Sequence, residues 1–266
     1  MKRLKINIVN KNCWDITNLV YKLLSDTYEI KISNNPDIVF GSVRGNNEFS
    51  KYPNAIKIQI NGESEEPYFD WNIDYAISMS LNSYNGKNLY CPFFVFRYFC
   101  DEDIFNKNYD NLNRDKLCVA CFHNKESFRT KYFDDLNNLI KIENISGKID
   151  NYISAKLNEI SKYKFNFCFE NKQKPGYLTE KIYESFIGGC IPVYAGDELV
   201  SEIFNPKAFI NCNGKTSEQI ANEIVKINND KELYNEMISQ PIFNNPNYIN
   251  EKLDEVKQFI INIIEN

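Results

Sequence analysis

The sequence predicts an α/β protein built from two Rossmann-like halves, and three observations carry this prediction. Short apolar runs alternate with segments whose apolar residues recur at helical spacing, which is typical of parallel sheets with crossover helices. This alternation occurs twice, over residues 1–110 and again over 116–245, and a loop-rich stretch at 82–115 is the expected connection. The length of 266 residues is enough for two small domains of this kind.

In the first half, four apolar runs are predicted strands and one amphipathic run is a predicted helix. The strands are expected at 5–10, 37–42, 55–62 and 75–80, and the helix at 14–25. The third of these strands shows the period-two alternation of a sheet with Ile56, Ile58 and Ile60 on one face.

The second half repeats the pattern with longer helices. Strands are expected at 116–122, 164–170, 190–196 and 208–212, and helices at 129–142, 150–161, 178–189, 216–228 and 250–264. Pro192 indicates an end or edge position for its strand, because proline cannot donate to a sheet ladder. The expected domains are 1–115, 116–245 and a terminal helix in 246–266 that packs near the domain boundary. Ligands of such folds bind at the carboxyl ends of the strands, which predicts a cleft between the two halves.

Composition excludes several classes of function. Lys and Arg number 31 against 36 Asp and Glu, a net charge of −5 that argues against a nucleic-acid-binding protein. The single histidine, His123, excludes metal sites built on two or three imidazoles, so acid–base chemistry falls mainly to carboxylates, Lys, Tyr or that one histidine.

The eight cysteines and the hydropathy pattern bear on the compartment. The cysteines are scattered through apolar runs, and we interpret them, including the Cys118–Cys121 pair, as reduced core thiols rather than a zinc or redox site. No apolar stretch approaches the ~20 residues of a membrane span, and no signal peptide is recognised, so we expect a cytoplasmic protein.

The segment 164–196 carries the strongest signal for chemistry. A buried strand ends at Glu170 and Asn171, a polar loop follows, and a helix opens near Thr179, which is placed to cap it. The amides of that helix end, with Lys181 beside them, form a potential phosphate or diphosphate site. Glu180 at the same end can accept hydrogen bonds from sugar hydroxyls. The alternative is an ordinary acidic first turn with a solvated lysine.

This segment resembles the signature of the α-1,3/α-1,4-fucosyltransferases. The matching pieces are Phe169-Glu170-Asn171, Tyr177-Leu178-Thr179-Glu180-Lys181, and Ile191-Pro192-Val193 with Gly196, followed by residues 204–211. The resemblance implies a GT-B fold, with two Rossmann-like domains facing across a cleft. It also implies that Asn171, Tyr177, Glu180 and Lys181 bind a GDP-sugar donor.

A second, weaker match lies at 61–79, where Gly62-Glu63, Pro67, Phe69 and Asp74-Tyr75-Ala76-Ile77 fit the family and Ser64 replaces its usual Asn. The resemblance implies that Glu63 is the general base. Glu65 and Glu66 are competing candidates, and a solvated acidic loop is the plain alternative. We interpret the aromatic run at 90–99 as a core strand or interdomain packing rather than a platform for a sugar. The alternative is that one or two of these aromatics, with Tyr68 and Trp71, line the acceptor side.

A third match covers 118–136, in which Arg129 fits the family's arginine at a helix start and by resemblance contacts the donor diphosphate. Arginine there opposes the helix dipole, which favours a functional anion partner. The turn departs from the family, with Phe122-His123-Asn124 in place of Ser-Asn, and this places His123 near the predicted cleft or leaves it as an ordinary polar residue. We interpret the acidic run Asp101-Glu102-Asp103 as a solvated turn rather than a metal motif.

The resemblance implies inverting transfer of L-fucose from GDP-β-L-fucose to a glycan acceptor of N-acetylglucosamine or N-acetyllactosamine type, most simply in α-1,3 linkage. No metal or other cofactor is required by this arrangement, although a divalent metal can still stimulate it. Two alternatives stay open, a different GDP-sugar donor and an inactive glycan- or nucleotide-binding module. The expected partners are the donor and the acceptor, without nucleic acid or a transmembrane segment, and the sequence does not specify an oligomeric state.

Overall fold

The computed structural model describes residues 1–10, 15–101, 114–122, 127–148 and 153–266, without the side chains of 127 and 128. Its internal contacts divide the chain into two compact units. Unit 1 comprises Met1–Cys100 with Asn247–Asn266, and unit 2 comprises Asp101–Pro246. The terminal segment therefore belongs to unit 1, and the chain passes into unit 2 near residue 100 rather than at the expected 115.

Unit 1 is built on a six-stranded parallel sheet of order β2-β1-β3-β4-β5-β6. The strands are β1 (Lys2–Val9), β2 (Tyr28–Ile32), β3 (Ile38–Gly41), β4 (Ile56–Ile60), β5 (Tyr75–Ser78) and β6 (Asn88–Tyr90). The central strands are almost wholly buried, as expected of a parallel sheet covered on both faces.

Three helices of unit 1 pack together: α1 (Ile16–Leu24), α2 (Phe93–Cys100) and the C-terminal α9 (Tyr248–Glu265). The Asp15 side chain caps α1 by accepting a hydrogen bond of 3.0 Å from the Asn18 backbone N–H. One face of α9 is buried through side chains that recur at helical spacing: Ile249, Leu253, Val256, Ile260 and Ile263.

Unit 2 has a five-stranded parallel sheet of order β11-β10-β9-β7-β8. Its strands are β7 (Lys116–Ala120), β8 (Ile142–Asn144), β9 (Tyr163–Phe167), β10 (Ile191–Tyr194) and β11 (Ile210–Asn211). The described helices are α3 (Ser127–Leu139), α4 (Ile153–Ile160), α5 (Glu180–Ile187), α6 (Val200–Ile203), α7 (Ser217–Asn229) and α8 (Lys231–Ile238). The predicted two-part α/β fold is confirmed.

Several predicted elements were wrong in detail. The aromatic run that we interpreted as a core strand is helix α2, and together with β6 it occupies part of the predicted connection at 82–115. A segment that is apolar on every side carries no periodicity to separate helix from strand. Strands β2 and β8 and helices α6 and α8 were not predicted. The predicted helix 129–142 ends at Leu139, before β8 begins.

Pro192 does not mark an edge strand, because β10 pairs with both β9 and β11. Pairing with β11 begins only at Val193, one residue later, and Tyr194 carbonyl O accepts from Cys212 N–H on that side. Since alternate residues of a strand face the same neighbour, the missing N–H of Pro192 falls where the two-residue strand β11 offers no partner.

Among the described helices, none combines the length and the apolar character that crossing a membrane requires.

Candidate active site

In unit 1, the candidate base Glu63 lies in the loop that follows β4. Asn61 organises this loop while fully buried: its Oδ1 accepts from the Glu63 N–H at 2.8 Å and its Nδ2 donates to Glu65 carbonyl O at 2.8 Å. Gly62 is required by close approach, since a Cβ there would lie 2.5 Å from the Phe93 ring at the start of α2. The glycine of the Gly-Glu pair thus fixes the path of the chain after β4, and with it the position of Glu63.

Arg44 binds the Glu63 carboxylate and was not among the predicted site residues. Its Nε donates to Glu63 Oε1 at 3.1 Å, and its Nη2 donates to the same oxygen. Arg44 follows β3, the neighbour of β4, so both residues come from carboxyl ends of adjacent parallel strands. The available signal was a strand running into Gly41-Ser42-Val43-Arg44-Gly45, where Gly45 has a φ of +105°.

The other candidates of this loop take different places. Glu66 is exposed and accepts from the Tyr84 hydroxyl at 2.8 Å, and Glu65 is also exposed, so Glu63 is the most sheltered of the three carboxylates. Tyr68 and Trp71 form a tilted aromatic pair with ring centroids 4.8 Å apart, in the loop that carries Glu63. A partly exposed pair of rings beside a carboxylate is suited to packing against a sugar.

In unit 2, two of the predicted donor-binding residues meet. The Arg129 side chain is 1% exposed and donates from Nη1 to Asn171 Oδ1 at 2.6 Å. Its guanidinium carbon lies 4.5 Å from the ring centroid of Phe122, in cation–π contact. Arg129 comes from the first turn of α3 and Asn171 follows β9, so the pairing could not be seen from local sequence.

Lys181 is held by the residue that precedes Asn171. Its Nζ donates to Glu170 Oε2 at 3.0 Å and to Thr179 Oγ1 at 2.8 Å, and it lies 3.5 Å from Glu180 Oε1. Burial acts to lower the pKa of Lys181, but attraction to Glu170 and then Glu180 outweighs it and holds the pKa above its ordinary value. The ammonium is therefore charged at neutral pH.

Thr179 is the N-cap residue of α5, as predicted, but its side chain makes no capping hydrogen bond. Its hydroxyl donates instead to Glu170, with oxygen distances of 2.7 and 2.9 Å, and its N–H donates to Glu170 Oε1 at 2.8 Å. A buried carboxylate from another element thus compensates the positive end of the helix. Glu180 occupies the first helical position, with 24% of its side chain exposed.

The loop between Asn171 and α5 is fixed by its own turn and by Asp197. Tyr177 N–H donates to Lys174 carbonyl O at 3.0 Å across Pro175 and Gly176, whose φ of +83° is typical of a type II turn. Gly176 N–H donates to Asp197 Oδ1 at 3.1 Å. Tyr177, which the sequence predicted as a donor-binding residue, is 2% exposed, so its side chain is buried within unit 2.

Other predicted features bear less on the site. His123 lies outside the described residues, as do Glu102 and Asp103 of the acidic run. The described cysteines are free thiols, and burial raises the pKa of Cys118 to about 12. Within the residues that the structure describes, no group of three or more His, Cys, Asp or Glu side chains is arranged to hold a metal ion.

Two family sequence patterns match this chain. The C-terminal pattern of glycosyltransferase family 10 (fucosyltransferase) matches residues 111–239. The N-terminal domain pattern of the alpha-(1,3)-fucosyltransferase FucT matches residues 7–98. Between them they cover most of both units.

Individual proteins agree with these patterns. The alpha-(1,3)-fucosyltransferase FucT of Helicobacter pylori is 27% identical, and the match covers 94% of this chain and 62% of that protein. A putative fucosyltransferase of Acanthamoeba polyphaga mimivirus is 26% identical, over 94% of this chain and 44% of that protein. This chain therefore spans less than two thirds of the length of either relative.

The fold has a counterpart among solved structures. A crystal structure of an alpha1,3-fucosyltransferase with GDP-fucose superposes with a TM-score of 0.79 at 24% identity, covering 100% of this chain and 91% of that chain. This likeness establishes the GT-B fold for the two parallel-sheet units. On the sequence patterns and the fold together, the chain belongs to glycosyltransferase family 10, the fucosyltransferases.

Proposed function

We propose that the protein transfers L-fucose from GDP-β-L-fucose to a hydroxyl of a glycan acceptor of N-acetylglucosamine or N-acetyllactosamine type, with α-1,3 linkage. One observation carries the proposal: two consecutive residues in the loop after β9 bind two cations, the buried Arg129 and the partly buried Lys181. Glu170 binds Lys181 and Asn171 binds Arg129. Two fixed positive charges beside the N-terminus of α5 match the two negative charges of a diphosphate.

In this proposal, the reaction is a single displacement with inversion at the anomeric carbon. The acceptor oxygen forms a bond to that carbon while the bond from carbon to the diphosphate oxygen breaks. Glu63 takes the proton of the acceptor hydroxyl. The charge that grows on the departing GDP is stabilised by Lys181, Arg129 and the amides of α5.

The remaining donor and acceptor contacts are assigned by chemistry. Glu180, at the partly exposed first position of α5, accepts hydrogen bonds from donor hydroxyls, and Asn171 and Tyr177 complete the donor site. Tyr68 and Trp71 support the acceptor in the loop of Glu63. Because unit 2 already supplies two cations that are held by neighbouring side chains, we propose that turnover needs no divalent metal, so activity should persist in EDTA. The free thiols support a reducing, cytoplasmic setting.

A donor–acceptor screen tests the proposal. GDP release from GDP-fucose is measured with N-acetyllactosamine and N-acetylglucosamine acceptors, and the product linkage is determined by NMR. Preference for GDP-mannose over GDP-fucose would replace the donor assignment. Glycan binding without GDP release would favour the inactive binding module.

Site variants test the assigned roles in the same assay. Glu63→Gln should lower kcat by about 10²- to 10⁴-fold, because the acceptor proton loses its base, while GDP affinity stays at the wild-type value. Lys181→Ala should lower GDP affinity and kcat together. Wild-type turnover by both variants would show that the site is wrongly assigned.

A further inference from the structure

Glu170 is a fully buried carboxylate that the proposed reaction does not use directly. It is 0% exposed, and its two oxygens accept the Thr179 N–H, the Thr179 hydroxyl and the Lys181 ammonium. Gly196 packs against it so closely that a Cβ at that position would lie 2.6 Å from Glu170 Cγ. Such a carboxylate acts on a ligand only through the groups that it binds.

The hydrogen bonds fix the direction of every donor in this cluster. Thr179 Oγ1 accepts from Lys181 Nζ at 2.8 Å, so its own proton points to Glu170. The ammonium has three N–H groups, and two of them are directed to Glu170 and Thr179. The direction of the third is then determined by tetrahedral geometry, with Glu180 Oε1 at 3.5 Å as its nearby carboxylate.

We propose that Glu170 is a positioning residue for donor binding, and that with Thr179 as its bridge it holds Lys181 in the single orientation that presents an N–H to the diphosphate of the nucleotide. This inference rests on the proposed function, because it takes GDP as the ligand of Lys181. Glu170 fixes the long, flexible side chain of Lys181 before the ligand binds. Because the lysine is already fixed, it loses little further conformational entropy when the ligand arrives.

Glu170 also maintains the charge of Lys181. The titratable groups that face this ammonium are Glu170 at the end of β9, Glu180 on α5 and Tyr177 in the preceding loop. Burial favours the neutral amine, and Glu170 is the largest opposing influence. When the Glu170 charge is removed, only Glu180 and Tyr177 remain to offset the lowering of the Lys181 pKa by burial. The pKa of Lys181 therefore falls, and its proton is lost at a lower pH.

The test measures GDP affinity by calorimetry between pH 6 and 9 for wild type, Glu170→Gln and a matched control. In wild type, Lys181 should stay charged from pH 6 to 9 and should contribute to GDP affinity across this whole range. Glu170→Gln should bind GDP about 10- to 100-fold more weakly at pH 7 and should lose further affinity toward pH 9. The control is Glu184→Gln on the same helix, which breaks the buried pair with Lys156 at 2.5 Å and leaves Lys181 untouched.

The control variant separates destabilisation from positioning. Protonation of the nucleotide affects GDP binding equally in wild type and in the Glu184→Gln control. The GDP affinity of the control should therefore depend on pH as that of wild type does. Equal pH dependence in Glu170→Gln, Glu184→Gln and wild type would overturn the inference. Thr179→Ser should keep wild-type affinity because it keeps the bridging hydroxyl, and Thr179→Val should lose affinity. Equal affinities of these two variants would also overturn it.

A measurement without nucleotide distinguishes this inference from the proposed function. Amine-reactive labelling of Lys181, followed by peptide mass spectrometry, should begin at a lower pH in Glu170→Gln than in wild type. If labelling is unchanged, Glu170 does not hold the Lys181 charge, whatever the protein binds. If wild type fails to bind GDP while the labelling shifts as expected, the proposed function and the diphosphate assignment fail, and the charge relation between the two residues stands.

Discussion

Replacement of Gly196 by alanine should weaken both the stability of unit 2 and the binding of GDP. The added Cβ would lie 2.6 Å from Glu170 Cγ and 2.6 Å from Tyr194 Oη, about 0.8 Å inside ordinary contact. Neither neighbour can withdraw easily, because Tyr194 Oη accepts the Asp197 N–H at 2.9 Å and Glu170 binds Thr179 and Lys181. Overpacking of this kind costs about 1–3 kcal/mol.

The expected relief is a shift of Glu170 away from Lys181, which would disturb the ammonium that we assign to the diphosphate. Urea denaturation measures the loss of unfolding free energy, and calorimetry measures GDP affinity. Gly188→Ala is the matched control, because its Cβ would press on Ile160 Cγ1 at 2.7 Å instead. The control should lose stability and keep GDP affinity. Wild-type stability and affinity in Gly196→Ala would refute the reasoning.

Three further predictions concern the proposed base, a buried ion pair and the thiols. Arg44→Gln should lower kcat about two- to fivefold without changing GDP affinity, because Glu63 loses a largely exposed partner; an unchanged kcat would show that Arg44 does not orient the proposed base. Lys156→Met should cost about 3–5 kcal/mol in urea denaturation, since it removes the ammonium that pairs with the buried Glu184 carboxylate; a loss below about 1 kcal/mol would contradict this. Burial raises the pKa values of the Cys118, Cys168 and Cys190 thiols to about 12. These thiols should therefore stay neutral and unreactive toward iodoacetamide in native protein at pH 8, and fast labelling of the native protein would disprove their burial.

The sequence predicted the elements that are long or strongly periodic. The buried strands β1, β3, β4 and β9 follow directly from their apolar runs, and α7 and α9 from their helical spacing. Strand β2 was not predicted because it is exposed along most of its length and so lacks an apolar run. Strand β8 was not predicted because three residues are too few to show a periodic pattern of apolar side chains. Helix α2 was wrongly predicted as a strand, because a continuous run of aromatic residues fits the helical and the strand periodicity equally well.

The site was predictable where a local motif carries it. Lys181 and Glu180 could be placed at a helix start from the Tyr-x-Thr-Glu-Lys motif, and Glu63 from Gly-Glu after a strand. The partners of these residues are set by topology: Arg44 reaches Glu63 from the neighbouring strand, and Arg129 reaches Asn171 across 42 positions of sequence. Pairings of this kind follow from which strands lie side by side, which local sequence does not encode.

The return of the chain to unit 1 has a consequence for biosynthesis. Helix α9 completes unit 1, packing against α1 and α2, yet it is synthesised after the whole of unit 2. Unit 2 is contiguous in sequence and can fold while translation continues. Unit 1 keeps an apolar face uncovered on α1 and α2 until the whole of unit 2 has been synthesised. A nascent chain stalled before Asn247 should therefore recruit chaperones to residues 1–100.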